Sequence, residues 1–189
     1  MLILASRSPR RREILTRAGI PHVVRPAEVD ESIADEEDAR EYVRRLARAK
    51  AEAVEGAPDD LVLGADTVVV VDGEVLGKPA DSDDARRMLT RLAGREHEVV
   101  TGICLRGRAI LAEDTETTRV RFTGLSEAEI EEYIASGEPM DKAGAYAIQG
   151  LASKFIDRIE GCYFNVVGLP VAKLYMHLRR IQGPSEDKL

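Results

Sequence analysis

The sequence has no tryptophan and few other aromatic residues, with three phenylalanines and five tyrosines among 189 residues. Proteins that bind single-stranded nucleic acid usually stack bases on aromatic side chains, so a platform of that kind is not expected. Cysteine is equally scarce, because Cys104 and Cys162 are the only two. Two cysteines are too few for a disulfide framework, and their spacing matches no metal site. We expect both to be buried thiols.

The sequence also contains no apolar run of about 18 residues, the length that a transmembrane helix needs. At the N-terminus, MLILASRSPRRR places its arginines after a short apolar run. A signal peptide has the reverse order and a longer apolar core. We therefore expect a cytoplasmic protein without a membrane partner.

Positive charge is outweighed by negative charge, since 27 basic and 34 acidic residues give a net charge of −7. Proteins that bind nucleic acids normally have a basic binding domain, so no nucleic acid partner is expected. The overall acidity still allows a small anion to bind in a local basic pocket.

The most informative stretch is Leu61–Pro79, a β-branched apolar run that predicts a buried strand. Asp66 lies inside it, and a buried charge is costly unless it is paired, metal-bound or at the mouth of a cleft. The Asp72-Gly73 pair is a hairpin signal that returns the chain to Lys78. The segment thus offers an acid and a base on neighbouring strands. The alternative is a solvated strand end followed by a surface turn.

A short helix is predicted after Ser8, a favoured N-cap residue, with Pro9 at its first position. The next residues, Arg10–Arg12, oppose the helix dipole unless an anion binds there. Free backbone N–H groups beside an arginine cluster form a phosphate site. The alternative is a set of arginines extended into solvent.

The apolar residues of 36–54 repeat with the period of a helix, and Lys50 occupies one position of that apolar stripe. A lysine there either extends past the edge of the core or lines a cleft and meets an anion. The polar connection before this helix contains Glu31. For Glu31, the alternative to a role in a site is an acidic loop in solvent.

Helices and strands are interleaved, but several strands are linked by hairpins, which predicts an α/β fold bordering on α+β with a mixed sheet. The loop 137–150 combines small residues with an acid, a lysine, a tyrosine and an amide, an inventory suited to reading a polar ring. We expect one domain over 1–182 and a frayed tail over 183–189. The other predicted elements are strands at 2–5, 20–26 and 152–159, strands within 96–123, and helices at 82–93, 126–136 and from Pro170 onward.

Several motifs, in order along nearly the whole chain, resemble those of the Maf family: SRSPRR, VDE, LARAKA, GADTVVVVDGEVLGKP and GEPMDKAGAYAIQG followed by GLP. The resemblance implies a nucleoside triphosphate pyrophosphatase of a family linked to septum formation. The DKAGAYAIQG run resembles the branch that hydrolyses dTTP and UTP. The implied fold is an elongated, curved mixed sheet flanked by helices, with two lobes around a central cleft, like the inosine triphosphate pyrophosphatases. Arg7 is a departure from the family pattern, because small residues are also common at that position in the family.

The resemblance implies roles for individual residues. Asp66 matches the catalytic acid, treated as the proton acceptor, while Arg10, Thr67 and Gln149 match positions tied to substrate choice. The remaining residues assigned to the cleft, all of them polar, are Ser6, Arg11, Glu31, Lys50, Lys78 and Lys142.

The implied reaction is hydrolysis between the α and β phosphates, with a divalent cation, Mg²⁺ or Mn²⁺, as cofactor. Asp66 and Glu31 are the carboxylates best suited to hold that cation. Lys50 and Lys78 would neutralise charge on the leaving group. Whether Asp66 acts as base, as metal ligand or as both stays open.

The competing hypothesis is a non-catalytic nucleotide sensor that regulates septum formation. Modified pyrimidine nucleotides are alternative substrates with the same chemistry. Members of the family often form homodimers, but no strip of this sequence marks an interface by its composition.

Overall fold

The structure, a computed structural model, describes residues 1–34 and 37–182. Within this part of the chain, seven strands form one sheet and six α-helices flank it. The strands are β1 (Leu2–Leu4), β2 (His22–Val24), β3 (Leu61–Val71), β4 (Glu74–Leu76), β5 (Glu96–Arg106), β6 (Leu111–Phe122) and β7 (Ile156–Glu160). The helices are α1 (Pro9–Arg17), α2 (Ala39–Glu52), α3 (Ser82–Leu92), α4 (Glu127–Ala135), α5 (Tyr163–Val167) and α6 (Val171–Gln182).

The sheet is mixed, with the strand order β2-β1-β3-β5-β6-β7 and with β4 paired to the end of β3. Strand β1 runs parallel to both β2 and β3, whereas the other pairs are antiparallel. The turn between β3 and β4 uses Asp72 and Gly73 at φ values of 49° and 79°, as a tight hairpin requires. The predicted α/β fold with a mixed sheet and the predicted hairpin are confirmed.

Helix α2 covers one face of the sheet, where Val43, Leu46 and Ala47 pack against β3 and β5. The larger core lies on the opposite face, where buried residues of the strands pack with those of α1, α3, α4, α5 and α6. None of the helices in the described ranges is both long enough and apolar enough to cross a membrane.

The sequence predictions differ from the structure mainly at residues 151–167. Residues 151–155 form a 3₁₀ helix, so the strand predicted at 152–159 begins only at Ile156. Ala152 and Phe155 are both buried, a spacing of three that suits a 3₁₀ turn better than a strand. Helix α5 was not predicted, because five residues are too few to display a helical period.

Other boundaries shift for local reasons. Strand β2 covers only His22–Val24 because Pro21 and Pro26 flank it and cannot donate to a sheet. The predicted start of the second helix at residue 36 and the frayed tail at 183–189 lie outside the described residues.

Candidate active site

A cavity of about 920 Å³ lies along the middle of β3. Strand β1 pairs with β3 at Leu61–Leu63 and β4 pairs with it at Val69–Val71, so the intervening residues border the cavity on that edge. Side chains from both faces of β3 therefore reach the same space. All ten residues assigned from the sequence line this cavity: Ser6, Arg10, Arg11, Glu31, Lys50, Asp66, Thr67, Lys78, Lys142 and Gln149.

Lys50 joins two carboxylates in the cavity. Its Nζ atom lies 2.6 Å from Asp66 Oδ1 and 2.7 Å from Glu31 Oε1. The Lys50 and Asp66 side chains are 10% and 12% exposed. Lys50 therefore lines a cleft and does not extend past the edge of the core. The anions that it meets are the carboxylates of the protein.

Two glycines bring α2 close enough to the sheet for this contact. Gly64 and Asp66 point to the same face of β3, and Gly102 is the register partner of Asp66 on β5. A Cβ atom at Gly64 would lie 1.9 Å from the carbonyl oxygen of Ala47, and one at Gly102 would lie 2.4 Å from that of Val43. The helix backbone therefore rests directly on the two strands.

Glu31 is held from several sides. The Tyr42 hydroxyl donates to its backbone carbonyl over 2.7 Å, and Lys78 Nζ lies 3.8 Å from its carboxylate. Partial burial opposes ionisation of Glu31, but the hydrogen bond from Lys50 and the charges of Lys50, Lys78 and Arg11 lower its pKa. The hairpin thus returns Lys78 to the cavity that contains Asp66, and the ion pair of Lys78 is with Glu31.

Arg11 is buried at the start of α1, and neutral oxygens hold it in place. Its Nε donates to the Gly168 carbonyl over 2.8 Å, Nη1 to Ser6 Oγ over 3.2 Å and Nη2 to Thr67 Oγ1 over 3.0 Å. Burial lowers the pKa of Arg11. Within the described ranges, no carboxylate lies at ion-pair distance from its guanidinium. Arg11 therefore has positive charge to offer to an anion in the cavity.

The remaining assigned residues lie around the cavity mouth. Arg10 Nη1 is 3.5 Å from the carboxylate of Asp141, and Lys142 Nζ contacts the same carboxylate and donates to the Glu138 carbonyl over 2.6 Å. Gln149 lines the cavity with an exposed side chain.

Sequence reasoning did not assign Thr101, Asp141 or Gly168 to the site. Thr101 is fully buried in β5, and its Oγ1 lies 2.9 Å from Thr67 Oγ1. A threonine inside a strand carries no signal of its own. Asp141 and Gly168 stand within the DKAG and GLP motifs, which could have indicated them.

The comparison with family models and the comparison with related sequences agree on one family. The profile described as Maf-like protein matches residues 1–181. The dTTP/UTP pyrophosphatase of Anaeromyxobacter sp. (strain Fw109-5) is 55% identical over 188 residues, which cover 97% of this chain and 90% of that protein. The dTTP/UTP pyrophosphatase of Koribacter versatilis (strain Ellin345) is 54% identical over 180 residues, which cover 95% and 93%.

The Ham1 protein of Staphylococcus aureus matches with a TM-score of 0.48 at 16% sequence identity, over 82% of this chain and 90% of that one.

Proposed function

The chain belongs to the Maf-like protein family, and we propose that it is a pyrophosphatase that hydrolyses dTTP and UTP to the monophosphate and pyrophosphate. The relatives that match over nearly the whole chain, at 50–55% identity, carry the name dTTP/UTP pyrophosphatase. The alignment covers 90% and 93% of the first two relatives. The reaction that their names describe is therefore proposed for this chain.

One observation of the structure carries the proposal: the Glu31–Lys50–Asp66 cluster shares a cavity with Arg11, which has no carboxylate partner in the described ranges. Such a cavity offers both carboxylates for water activation and cations for phosphate. Its volume of about 920 Å³ lies within the usual range for small-molecule sites. Its lining cations are Arg7, Arg10, Arg11, Lys50, Lys78 and Lys142. Its lining carboxylates are Glu28, Glu31, Asp66 and Asp141.

In the mechanism that we infer, Asp66 orients a water molecule and accepts its proton as the water attacks the α-phosphorus. Pyrophosphate leaves with the bridging oxygen. Arg10 and Arg11 bind phosphate oxygens through charge-assisted hydrogen bonds. Lys50 and Lys78 neutralise the negative charge that grows on the leaving group.

The donor set of the site fits Mg²⁺ or Mn²⁺. Asp66 and Glu31 converge on one point, at which Lys50 now lies, and carboxylate oxygens are the ligands that these cations favour. Within the described ranges, His, Cys, Asp and Glu form no cluster of three ligands. Two carboxylates together with substrate phosphates are the usual arrangement for Mg²⁺. When bound, the cation would polarise a phosphoryl oxygen and the attacking water.

We propose that Gln149 recognises the nucleobase of the substrate. Its amide both donates and accepts, so it suits the O4 and N3–H edge of uracil or thymine. A site built on such hydrogen bonds rejects a base that cannot form them.

Pyrophosphate release from UTP, dTTP, CTP, ATP and GTP, each with Mg²⁺, with Mn²⁺ and with EDTA, tests the proposal. We expect UTP and dTTP to give the highest kcat/KM and EDTA to abolish turnover. Preference for a purine triphosphate would contradict the assigned substrates. Tight binding of UTP without turnover would support a nucleotide sensor in place of an enzyme.

A further inference from the structure

Two threonines on neighbouring strands connect Arg11 to the interior of the protein. Thr67 on β3 and Thr101 on β5 stand directly opposite each other, with their hydroxyl oxygens 2.9 Å apart. Arg11 Nη2 donates to Thr67 Oγ1 over 3.0 Å, and Thr101 Oγ1 donates to the backbone carbonyl of Asn165 over 3.2 Å. Thr67 lines the cavity, whereas Thr101 is fully buried behind it.

The far end of this chain of hydroxyls is fixed. Asn165 is fully buried, and its Nδ2 donates to the Val99 carbonyl and to Thr118 Oγ1, each over 2.9 Å. The carbonyl that accepts from Thr101 therefore belongs to a residue locked to β5 and β6.

The chemistry of the two ends sets the direction of the hydrogen bonds. A guanidinium only donates and a carbonyl only accepts. The hydroxyls between them therefore run from Arg11 to Thr67, from Thr67 to Thr101, and from Thr101 to Asn165. The other acceptor for Thr67 is the Gly168 carbonyl, at 3.5 Å, which is a long distance for a hydroxyl. In either arrangement, the Thr67 proton is used inside the protein.

We propose that Thr101 is a positioning residue that makes Thr67 Oγ1 a hydrogen-bond acceptor, and never a donor, towards the bound nucleoside. The inference rests on the proposed function. The group that Thr67 contacts must then donate a hydrogen bond. Two groups that UTP and dTTP share qualify: the N3–H of uracil or thymine, and the 3′-hydroxyl of the sugar. Cytosine presents an acceptor at N3, so contact with the base would also discriminate against CTP.

Thr101→Val tests the inference because valine keeps the shape of threonine and removes the hydroxyl. Thr67 then loses its short acceptor, and its proton becomes free to point into the cavity. We expect the ratio of kcat/KM for UTP to that for CTP to fall at least about fivefold, the size expected for one hydrogen bond. Thr101→Ser, which restores the hydroxyl, should return the ratio to its original value.

Thr118→Val is the matched control. Thr118 is also a fully buried threonine, but its hydroxyl bonds to Cys162 and Asn165 and not to Thr67 or Arg11. Asn165 keeps its hydrogen bond to the Val99 carbonyl in this variant, so Thr118→Val should lower the melting temperature and leave the substrate ratio unchanged. If Thr101→Val behaved in the same way for every nucleotide pair, the inference would be wrong.

A second nucleotide pair identifies the donor. If Thr101→Val leaves the UTP to CTP ratio unchanged but weakens discrimination between UTP and 3′-deoxy-UTP, the 3′-hydroxyl is the donor and the acceptor role of Thr67 stands. If the UTP to CTP ratio falls, the donor is N3–H.

Binding measurements separate this inference from the proposed function. The α,β-methylene analogues of UTP and CTP are not cleaved at that position, so their Kd ratio, measured by calorimetry, does not depend on turnover. Absence of pyrophosphate release in the wild-type protein would overturn the proposed function alone. A Kd ratio that Thr101→Val does not change, for the base pair or for the matching 3′-deoxy pair, would overturn the inference alone. Binding of none of these analogues would overturn both.

Discussion

Lys50 Nζ lies 2.6 Å from Asp66 and 2.7 Å from Glu31, so one ammonium group pairs with two carboxylates. Removal of one partner of a buried ion pair normally leaves an uncompensated charge and is strongly destabilising. Here, Lys50 retains its ion pair with Glu31 when Asp66 is replaced by a neutral residue. The contribution of Asp66 to chemistry is therefore separable from its contribution to stability.

Asp66→Asn should lower kcat for pyrophosphate release from UTP by about a hundredfold or more, because the amide cannot accept the proton of the attacking water. Its melting temperature should stay close to that of the wild-type protein. Asp83→Asn, at an exposed carboxylate on α3, is the control. Turnover near the wild-type value in a folded Asp66→Asn protein would mean that this carboxylate is structural.

Arg11→Lys should raise the KM for UTP by about tenfold, because a lysine cannot reproduce three hydrogen bonds in a fixed planar geometry. The lost contacts are those to the Gly168 carbonyl, Ser6 and Thr67. The neighbouring Arg12 is exposed and lies outside the cavity lining, so Arg12→Lys is a matched control. Steady-state kinetics of both variants provide the measurement, and equal effects at the two positions would contradict the assignment of Arg11.

Gly64→Ala should destabilise the protein by about 3 kcal/mol or more, because overpacking forces the backbone to move. The added Cβ would meet the Ala47 carbonyl at 1.9 Å, so α2 must shift and carry Lys50 away from Asp66. Urea unfolding and pyrophosphate release should therefore both be impaired. Gly124→Ala, where a Cβ meets nothing within 4 Å, should change neither quantity. A fully active Gly64→Ala protein would show that the close approach of α2 is not needed for activity.

His97 should make the protein less stable as the pH falls below about 6.5. Burial lowers the pKa of His97 from 6.5 to about 4, and its Nε2 is hydrogen-bonded to the Tyr146 hydroxyl over 2.8 Å. The unfolded chain then binds the proton first, so the stability that is present above pH 6.5 is lost as the pH falls towards 4. Between pH 6.5 and 5, the loss should be about 2 kcal/mol.

Urea unfolding at several pH values measures this effect. His97→Gln should flatten the dependence between pH 6.5 and 5, where carboxyl groups such as Glu31, with a lowered pKa, stay ionised. His22→Gln, at a half-exposed position, is the control and should leave the slope unchanged. An unchanged slope in His97→Gln would assign the pH dependence to other groups.

Regular apolar patterns allowed the elements around Lys50 and Asp66 to be predicted. The two residues themselves could be identified because each interrupts its pattern. Lys50 occupies a core position of a helical stripe, and Asp66 occupies a place in a β-branched run. Ser8 and Pro9 likewise predicted the start of α1, which the structure confirms.

The details around Arg11 could not be predicted in this way. Nothing local distinguishes Arg11 from Arg12, because the difference depends on a carbonyl that is 157 residues away. The burial of Thr101 has the same origin, since its partners are Thr67 and the backbone of Asn165. Contacts between distant segments decide these positions, and a single sequence does not display them.

The distance along the chain between partners also orders the assembly of the site during synthesis. The separation between Lys50 and Asp66 is only 16 residues, so a growing chain contains the carboxylate–lysine cluster as soon as Asp66 has been added. The Gly168 carbonyl that orients Arg11 is added 101 residues after Thr67. A nascent chain therefore has its acid and lysine groups long before it has a complete phosphate-binding end.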